Sequence, residues 1–433
     1  MFPEDFVEEA NKKLRKVDGE FKEFFIENFS GCSYFIKNGV KESFVRGNIG
    51  SSLRILKNGK WVQRSKKSNH LTNHLKFLEE EENQIEKEFP FLLKREISID
   101  KEFSFIGEVL KEFDLSFIKE FDLTAVKNFH NTLVINNLGI NCTQEKSILV
   151  INLRLKDKSN FIGSETVIIP PFEDNIKDKF RSCLKESLNI IKVKKEGSKQ
   201  IKGEIPAVFS SRAAGFLLNE ALGRTLESDL YENLKRDLPL GEFFGSNLIN
   251  IFEGGPQGGY ATYDDEGFKP EERILVEEGK VVSLLADVKR SNYFSLKEKG
   301  NGRRASFNSK VYVGFFNFAM QGGEFEEEEM IKELPFGIYI KRIEDGILNF
   351  KRKTFSFPIV EGYIIRDGKI SECLKKGVRI YGKMPQFICE INKVGKKAET
   401  FWGLRQKFSN YFYVTETVPP ISFKSISVDF KEQ

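Results

Sequence analysis

The residues best suited to chemistry lie in one stretch of the chain, residues 206–229, where a short apolar segment leads into an amphipathic pattern. At about 100° per residue, five polar or minimal side chains share one face of the predicted helix, and leucine and alanine fill the opposite face. Glu220 and Arg224 are four residues apart and can form an ion pair, although a solvated surface helix gives the same pattern. The polar face comprises Asn219, Glu220, Gly223, Arg224 and Glu227.

Three consecutive acidic residues form a second candidate site. Asp264, Asp265 and Glu266 precede Gly267, a pattern typical of a hydrophilic turn. Three carboxylates can also bind a cation, because oxygen ligands suit hard metal ions. No further ligand is adjacent in the sequence, so the turn is the favoured interpretation.

A third candidate site is the Gly-Asn-Gly-Arg-Arg segment that contains Asn301, Arg303 and Arg304. Its glycines permit a tight turn, and its guanidinium groups offer planar donors for carboxylates. We expect these arginines to lie near a pocket. There they either bind a peptide carboxylate or carbonyl, or form an ion pair with the acidic turn at 264–266.

Two histidines, His70 and His74, are spaced four apart at the start of a helix predicted to run to residue 88. This spacing places both rings on one helix face, where they can hold zinc. No acidic or cysteine partner stands close by in a ligand pattern. A structural or exposed role is therefore favoured.

Several of these motifs occur together in one known family. The string at residues 219–227, Asn-Glu-Ala-Leu-Gly-Arg-Thr-Leu-Glu, resembles the HEAxGHxLE signature of the TldD/PmbA metallopeptidases, also called modulators of DNA gyrase. The acidic turn resembles that family's DDEG motif, and residues 300–304 resemble its GNGRR segment. The resemblance covers residues 205–430 with ordered motifs and residues 30–200 more loosely.

The resemblance also shows where this chain departs from the family. Family members bind a metal through two histidines and a cysteine near the C-terminus, and the glutamate beside the first histidine acts as the general base. Here Asn219 and Arg224 replace the histidines, and Trp402 or its neighbour stands at the cysteine position, whereas Glu220 is retained. Cys389 lies too early in the chain to be an obvious replacement.

The family resemblance implies a role in peptide processing and a dimer that encloses a cleft for an extended peptide. In the family, a TldD-type catalytic subunit commonly pairs with a TldE/PmbA-type subunit that lacks the metal ligands. The first hypothesis is a metal-free, non-catalytic or peptide-binding subunit without a cofactor, in a homodimer or heterodimer. In it, Glu227, Asp264, Asp265, Asn301, Arg303 and Arg304 are the cleft candidates.

Two alternatives remain open at the level of sequence. One is an active peptidase in which Glu220 is the base and zinc is held by Asp264, Asp265 or Cys389, or by ligands from a partner. The other is a binding or scaffold protein unrelated to peptide processing.

Composition favours a globular cytoplasmic protein. The chain has 433 residues, 30% charged and 40% hydrophobic, with a net charge of +4. Basic and acidic residues are interspersed along the chain, and no recognition motif for nucleic acid stands out. Its five cysteines are widely spaced without a CxxC pair, which favours reduced thiols. No apolar run is long enough to span a bilayer, so no membrane partner is expected.

The helices and strands that the sequence predicts around these motifs indicate an α+β protein of two domains. We expect a mixed α/β domain over residues 1–200 and a larger, mainly antiparallel β-rich domain over residues 204–433. The boundary is predicted near residues 195–203, where a basic linker follows a long amphipathic helix. Asn38-Gly39 and Asn58-Gly59 predict hairpin turns, and residues 4–29 predict a helix with a potential break at Gly19.

Overall fold

The computed structural model describes residues 2–78, 97–171, 173–257, 260–408 and 410–431. Its first part forms one antiparallel sheet with the strand order β3-β2-β1-β4-β5-β6. The elements are α1 (Glu4–Lys16), β1 (Phe21–Lys37), β2 (Val40–Lys57), β3 (Lys60–Lys67), α2 (Leu71–Lys76), α3 (Ile99–Leu110), β4 (Ile118–Asn136), β5 (Asn141–Asp157), β6 (Ile162–Ile169) and α4 (Ile176–Glu196).

The two faces of this first sheet have different partners. Phe24 and Ile26 of β1 belong to a core formed with α1 and α2, and the same face continues into a core with α3 and α4. Successive strand residues point to opposite faces. Glu23, Phe25 and Glu27 therefore point away from the helices, and all three contact residues of the second part of the chain.

The N-terminal helix is shorter than the sequence predicts. A helix to Phe29 is wrong, because α1 ends at Lys16 and β1 begins at Phe21. The adjacent residues Phe24, Phe25 and Ile26 are all buried, which a strand covered on both faces explains and a one-faced helix does not. Both Asn-Gly hairpin turns are confirmed between β1, β2 and β3.

The second part of the chain is richer in strands. It begins with β7 (Gly203–Phe209), shortly after α4 ends, in the segment where the sequence predicts the domain boundary. The helices and the remaining strands are α5 (Ser211–Ala221), α6 (Ser228–Leu234), β8 (Ile251–Glu253), β9 (Arg273–Glu277), β10 (Lys280–Val281), α7 (Val288–Phe294), β11 (Gly302–Arg303), β12 (Tyr312–Val313), β13 (Asn317–Met320), α8 (Glu327–Lys332), β14 (Phe336–Ile343), β15 (Ile347–Asn349), β16 (Thr354–Arg366), β17 (Lys369–Cys373), β18 (Val378–Lys383), β19 (Ile391–Val394), β20 (Glu399–Lys407), β21 (Asn410–Val418) and β22 (Ile421–Phe430).

Two larger sheets are built from these strands. One has the order β10-β9-β8-β13-β21-β20, and the other contains β14-β7-β22-β18-β16-β15. Most pairs are antiparallel, whereas β13 with β21 and β14 with β7 are parallel. The predicted α+β class is confirmed.

Helix α5 lies between these two sheets and contacts β20 and β21 on one side and β14 on the other. Its leucines, Leu217 and Leu218, are fully buried in the largest core of the protein. The opposite face of β20 and β21 packs on the first sheet, where Trp402 and Tyr413 contact Ile148 and Val150. Within the part of the chain that the structure describes, no helix combines the length and apolar character needed to cross a membrane.

Candidate functional site

Local structure fixes the polar face of α5. Ser210 caps the helix by accepting a hydrogen bond from the backbone N–H of Ala213 at 3.3 Å. The predicted continuation of this helix through Glu227 is wrong, because α5 ends at Ala221 and a 3₁₀ turn covers Gly223–Leu226. A Cβ on Gly223 would lie 2.8 Å from Asn219 Oδ1, so this close turn requires glycine.

Glu220 lies between two guanidinium groups. Its Oε2 is 3.4 Å from Arg224 Nε, and its Oε1 is 3.2 Å from Arg405 Nε. Arg224 also donates to the carbonyl oxygen of Gln406 on β20. Both carboxylate oxygens are therefore engaged by fixed positive charges.

Asn219 is held by a second carboxylate, that of Glu416 on β21. Asn219 Nδ2 donates to Glu416 Oε1 at 2.9 Å, and Arg405 pairs with the same oxygen. Burial by itself lowers the pKa of Arg405, but Glu416 and Glu220 outweigh it and raise that pKa on balance. We call Asn219, Glu220, Arg224, Arg405 and Glu416 the carboxylate–guanidinium cluster.

Glu227 extends this cluster towards Lys407. Lys407 Nζ lies 2.5 Å from Glu227 Oε2, 2.6 Å from Asp229 Oδ1 and 2.6 Å from the carbonyl oxygen of Val313. Burial raises the pKa of Glu227, although Lys407 and Arg224 act to lower it. Glu227, which the sequence predicts as a cleft residue, thus forms an internal ion pair with Lys407.

The structure does not bring Trp402 to this cluster. Trp402 and Arg405 are three residues apart on β20, so their side chains point to opposite faces. Trp402 packs against Tyr260, with ring centroids 6.0 Å apart, on the face that meets the first sheet. Arg405 is the β20 residue beside Glu220, and the sequence interpretation missed it together with Glu416 and Lys407.

The acidic turn is saturated by donors. Asp264 accepts from the backbone N–H groups of Glu266, Phe268 and Gly302 at 2.8–2.9 Å. Asp265 pairs with Lys146 and accepts from the N–H of Arg304 at 2.8 Å. These partners are N–H groups and an ammonium, so the turn is not arranged as a cation site.

The two arginines of the Gly-Asn-Gly-Arg-Arg segment have different partners. Arg304 extends into the first sheet and pairs with Glu23 at 2.5 Å. Arg303 donates to the carbonyl oxygens of Phe315 at 2.6 Å and Tyr413 at 2.9 Å. Neither guanidinium forms the direct ion pair with the acidic turn that was one of the two alternatives, since it is the backbone N–H of Arg304 that donates to Asp265, although the charge of Arg303 still lowers the pKa of Asp265.

A further group of buried charges connects the two parts of the chain. Arg54 of β2 pairs with Glu23 at 3.0 Å and also with Glu266. We call Glu23, Arg54, Lys146, Asp265, Glu266 and Arg304 the buried charge network. Asn301 lies beyond it and donates to Glu253 Oε2 at 2.9 Å, a buried structural contact.

The other candidate ligands are not assembled into a metal site. His74 contacts Ser51 Oγ at 2.8 Å and the carbonyl oxygen of Ser68 at 2.9 Å, and the helix around it ends at Lys76. The predicted continuation of that helix lies partly outside the described residues. Cys389 is exposed on a different segment. Across the described residues, no three His, Cys, Asp or Glu side chains converge in a way that could hold a metal ion.

Comparison with known proteins shows which family the chain belongs to. The family model of the PmbA/TldA metallopeptidase C-terminal domain matches residues 202–429, more than half of the chain. The chain belongs to the TldD/PmbA family. It is 28% identical over 221 residues to a metalloprotease TldD homologue of Buchnera aphidicola, covering 49% of this chain and 44% of that protein.

A metalloprotease of Methanocaldococcus jannaschii is 26% identical over 266 residues, covering 60% of this chain and 58% of that protein. The chain thus spans about half the length of these curated relatives. The crystal structure of TldE from Thermococcus kodakarensis superposes with a TM-score of 0.71 at 14% identity, covering 98% of this chain and 99% of that one. The predicted family is confirmed, and the structural likeness shows the fold.

The family relationship implies a metal that the residues of this chain do not fit. A divalent ion at the polar face of α5 would lie beside the guanidinium groups of Arg224 and Arg405. Arginine is always cationic, and like charges repel strongly where water is excluded. The donor set here suits carboxylates and not a metal ion.

Proposed function

We propose that this protein is a metal-free, non-catalytic, peptide-binding subunit that acts in peptide processing with a metal-bearing member of its family. The observation that carries the proposal is the position of Glu220 between Arg224 and Arg405. A general base must accept a proton from water, and both oxygens of this carboxylate already face permanent cations.

The family relationship supports the wider part of the proposal. The matched relatives are metalloproteases, and a TldE has the same fold, so peptide processing is the activity class that the comparisons favour. The alternative of an active peptidase would need a metal held elsewhere. The saturated acidic turn and the position of Cys389 on a different segment do not favour it.

The test combines peptide hydrolysis with reconstitution. The purified full-length protein, supplied with zinc, is assayed against unstructured peptides alone and after mixing with a relative that carries both histidines. We expect no hydrolysis by the protein alone, complex formation with the relative, and an unchanged rate in the mixture for Glu220→Gln.

Hydrolysis by the protein alone that is lost in Glu220→Gln would refute the proposal. The matched control is Glu232→Gln, which removes a carboxylate on α6 outside the cluster. This control separates a loss of hydrolysis that is specific to Glu220 from a general effect of removing a carboxylate.

A further inference from the structure

A cleft between the two parts of the chain is separate from the carboxylate–guanidinium cluster. It has a volume of about 670 Å³ and lies between the helix-free face of the first sheet and the face of β20 and β21 that points away from α5. This volume is within the range of about 300–1,000 Å³ typical of ligand sites. The cleft is lined by β1, β2 and β4 on one side and by Leu404, Tyr411 and Tyr413 on the other.

The charges on the cleft wall do not cancel. Lys146 pairs with Asp265, Arg304 with Glu23, and His130 with Glu27 at 2.5 Å. The remaining wall cations are Arg46, Lys67 and Arg303. Among the described residues, none of these three has a carboxylate within ion-pair distance, so the cleft carries an excess of positive charge.

Arg303 contributes charge at the floor of the cleft. It is 3% exposed, and its guanidinium donates to two backbone carbonyl oxygens and stacks 4.0 Å from the centroid of the Phe316 ring. The field of a buried cation is weakly screened, so Arg303 favours a further anion in addition to Asp265, which is already paired with Lys146. Arg46 and Lys67 stand at the more open part of the same cleft.

We propose that this cleft binds the carboxyl-terminal end of a peptide, with its carboxylate facing Arg46, Lys67 and Arg303. Tyr260, Leu404 and Tyr411 provide an apolar wall for the terminal side chain. This inference deepens the proposed function and rests on it, since it defines which end of a bound peptide the subunit recognises.

The test compares a free acid with its amide. An N-acetylated tetrapeptide that ends in phenylalanine is titrated into the full-length protein by calorimetry, as the carboxylate and as the carboxamide. We expect the amide to bind about tenfold more weakly, because it loses the charge-assisted contacts. Raising the salt concentration should weaken binding of the acid more than binding of the amide.

Variants locate the site. Arg46→Gln combined with Lys67→Gln should remove most of the difference between acid and amide. The matched control combines Lys41→Gln with Lys60→Gln, which removes two exposed lysines at other points of the same strands. This control should keep the difference.

Equal binding of acid and amide, an acid preference that survives the double substitution in the cleft, or no binding of the acid would each overturn the inference. Equal binding of both peptides would leave the proposed peptide-binding subunit standing. A peptidase activity that depends on Glu220 would refute the proposed function without changing the acid-to-amide ratio.

Discussion

The carboxylate–guanidinium cluster and the buried charge network both bury carboxylates against cations, but they join different parts of the molecule. The cluster lies within the family-matched region and connects α5 to β20 and β21. The network connects β1, β2 and β5 to the loops that carry Asp265, Glu266 and Arg304. The same chemistry thus fills the polar face of α5 in one region and attaches one sheet to the rest of the protein in the other.

The largest expected effect comes from breaking the network. Arg304→Met leaves Glu23 with only Arg54 as a partner, and removing one member of a buried ion pair costs about 3–5 kcal/mol. Chemical unfolding measures this loss. The control Arg46→Met removes a cation of the cleft wall that the buried charge network does not include, and we expect it to change the free energy of unfolding by less than about 0.5 kcal/mol.

The second prediction converts the cluster into a metal site. Asn219→His, Arg224→His and Arg405→Ala together remove both guanidinium groups and offer two imidazoles beside Glu416. Two histidines and a carboxylate are a common zinc ligand set, so we expect zinc affinity to rise about a thousandfold over the natural protein.

Zinc titration of the folded triple variant, with folding checked by circular dichroism, measures this gain. Asn219→His alone keeps both guanidinium groups and should bind little zinc. If the single variant matched the triple variant, repulsion by the arginines would not be what excludes the metal.

A smaller effect is expected within the natural cluster. Arg405→Met leaves Glu220 with Arg224 and leaves Glu416 with Asn219, so the loss in the free energy of unfolding should be about 1–3 kcal/mol. Gln406→Met changes the adjacent exposed residue on β20 and serves as the control. Equal stabilities of the two variants would show that the cluster contributes nothing to folding.

A further expected effect is a pH dependence in the network. Burial raises the pKa of Glu266 to about 7 even though Arg54 acts to lower it. The folded protein then holds a proton that the unfolded chain releases, so the stability from this group is present below about pH 4.5 and is lost as the pH rises to about 7. In Glu266→Gln, the free energy of unfolding should decrease less between about pH 4.5 and pH 7 than it does in the natural protein.

Asp265 is the internal comparison for that experiment. Burial by itself raises its pKa, but Lys146 and Arg303 outweigh it and hold that pKa below its usual value. Its contribution to stability is present above the unfolded pKa and is lost as the pH falls through the folded one, which is the opposite sign. Asp265→Asn should therefore change how the free energy of unfolding depends on pH in the acidic range. It should leave the decrease between about pH 4.5 and pH 7 unchanged.

Local signals in the sequence predicted much of the fold. The Asn-Gly turns and α4 follow from neighbouring residues, and the Glu220–Arg224 pair follows from a spacing of four. Arg405, Glu416 and Lys407 could not be found in this way, because they reach the cluster through strand pairing far along the chain. The two-residue periodicity of β20 does place Arg405 and Lys407 on one face, but only the fold shows that this face meets α5.

Similarly, the sequence left open whether Arg303 and Arg304 bind a peptide or form an ion pair with the acidic turn. The partner of Arg304, Glu23, depends on how the first sheet docks, whereas Arg303 donates to the carbonyl oxygens of Phe315 and Tyr413 within the second part of the chain. Long-range pairing of this kind leaves no local pattern.

The most direct test of the central claim is the zinc content of the natural protein, measured by elemental analysis after purification in zinc-containing buffer and desalting. With Arg224 and Arg405 fixed beside Glu220, the protein should retain far less than one zinc per chain. One zinc per chain that disappears in Glu220→Gln would contradict the account.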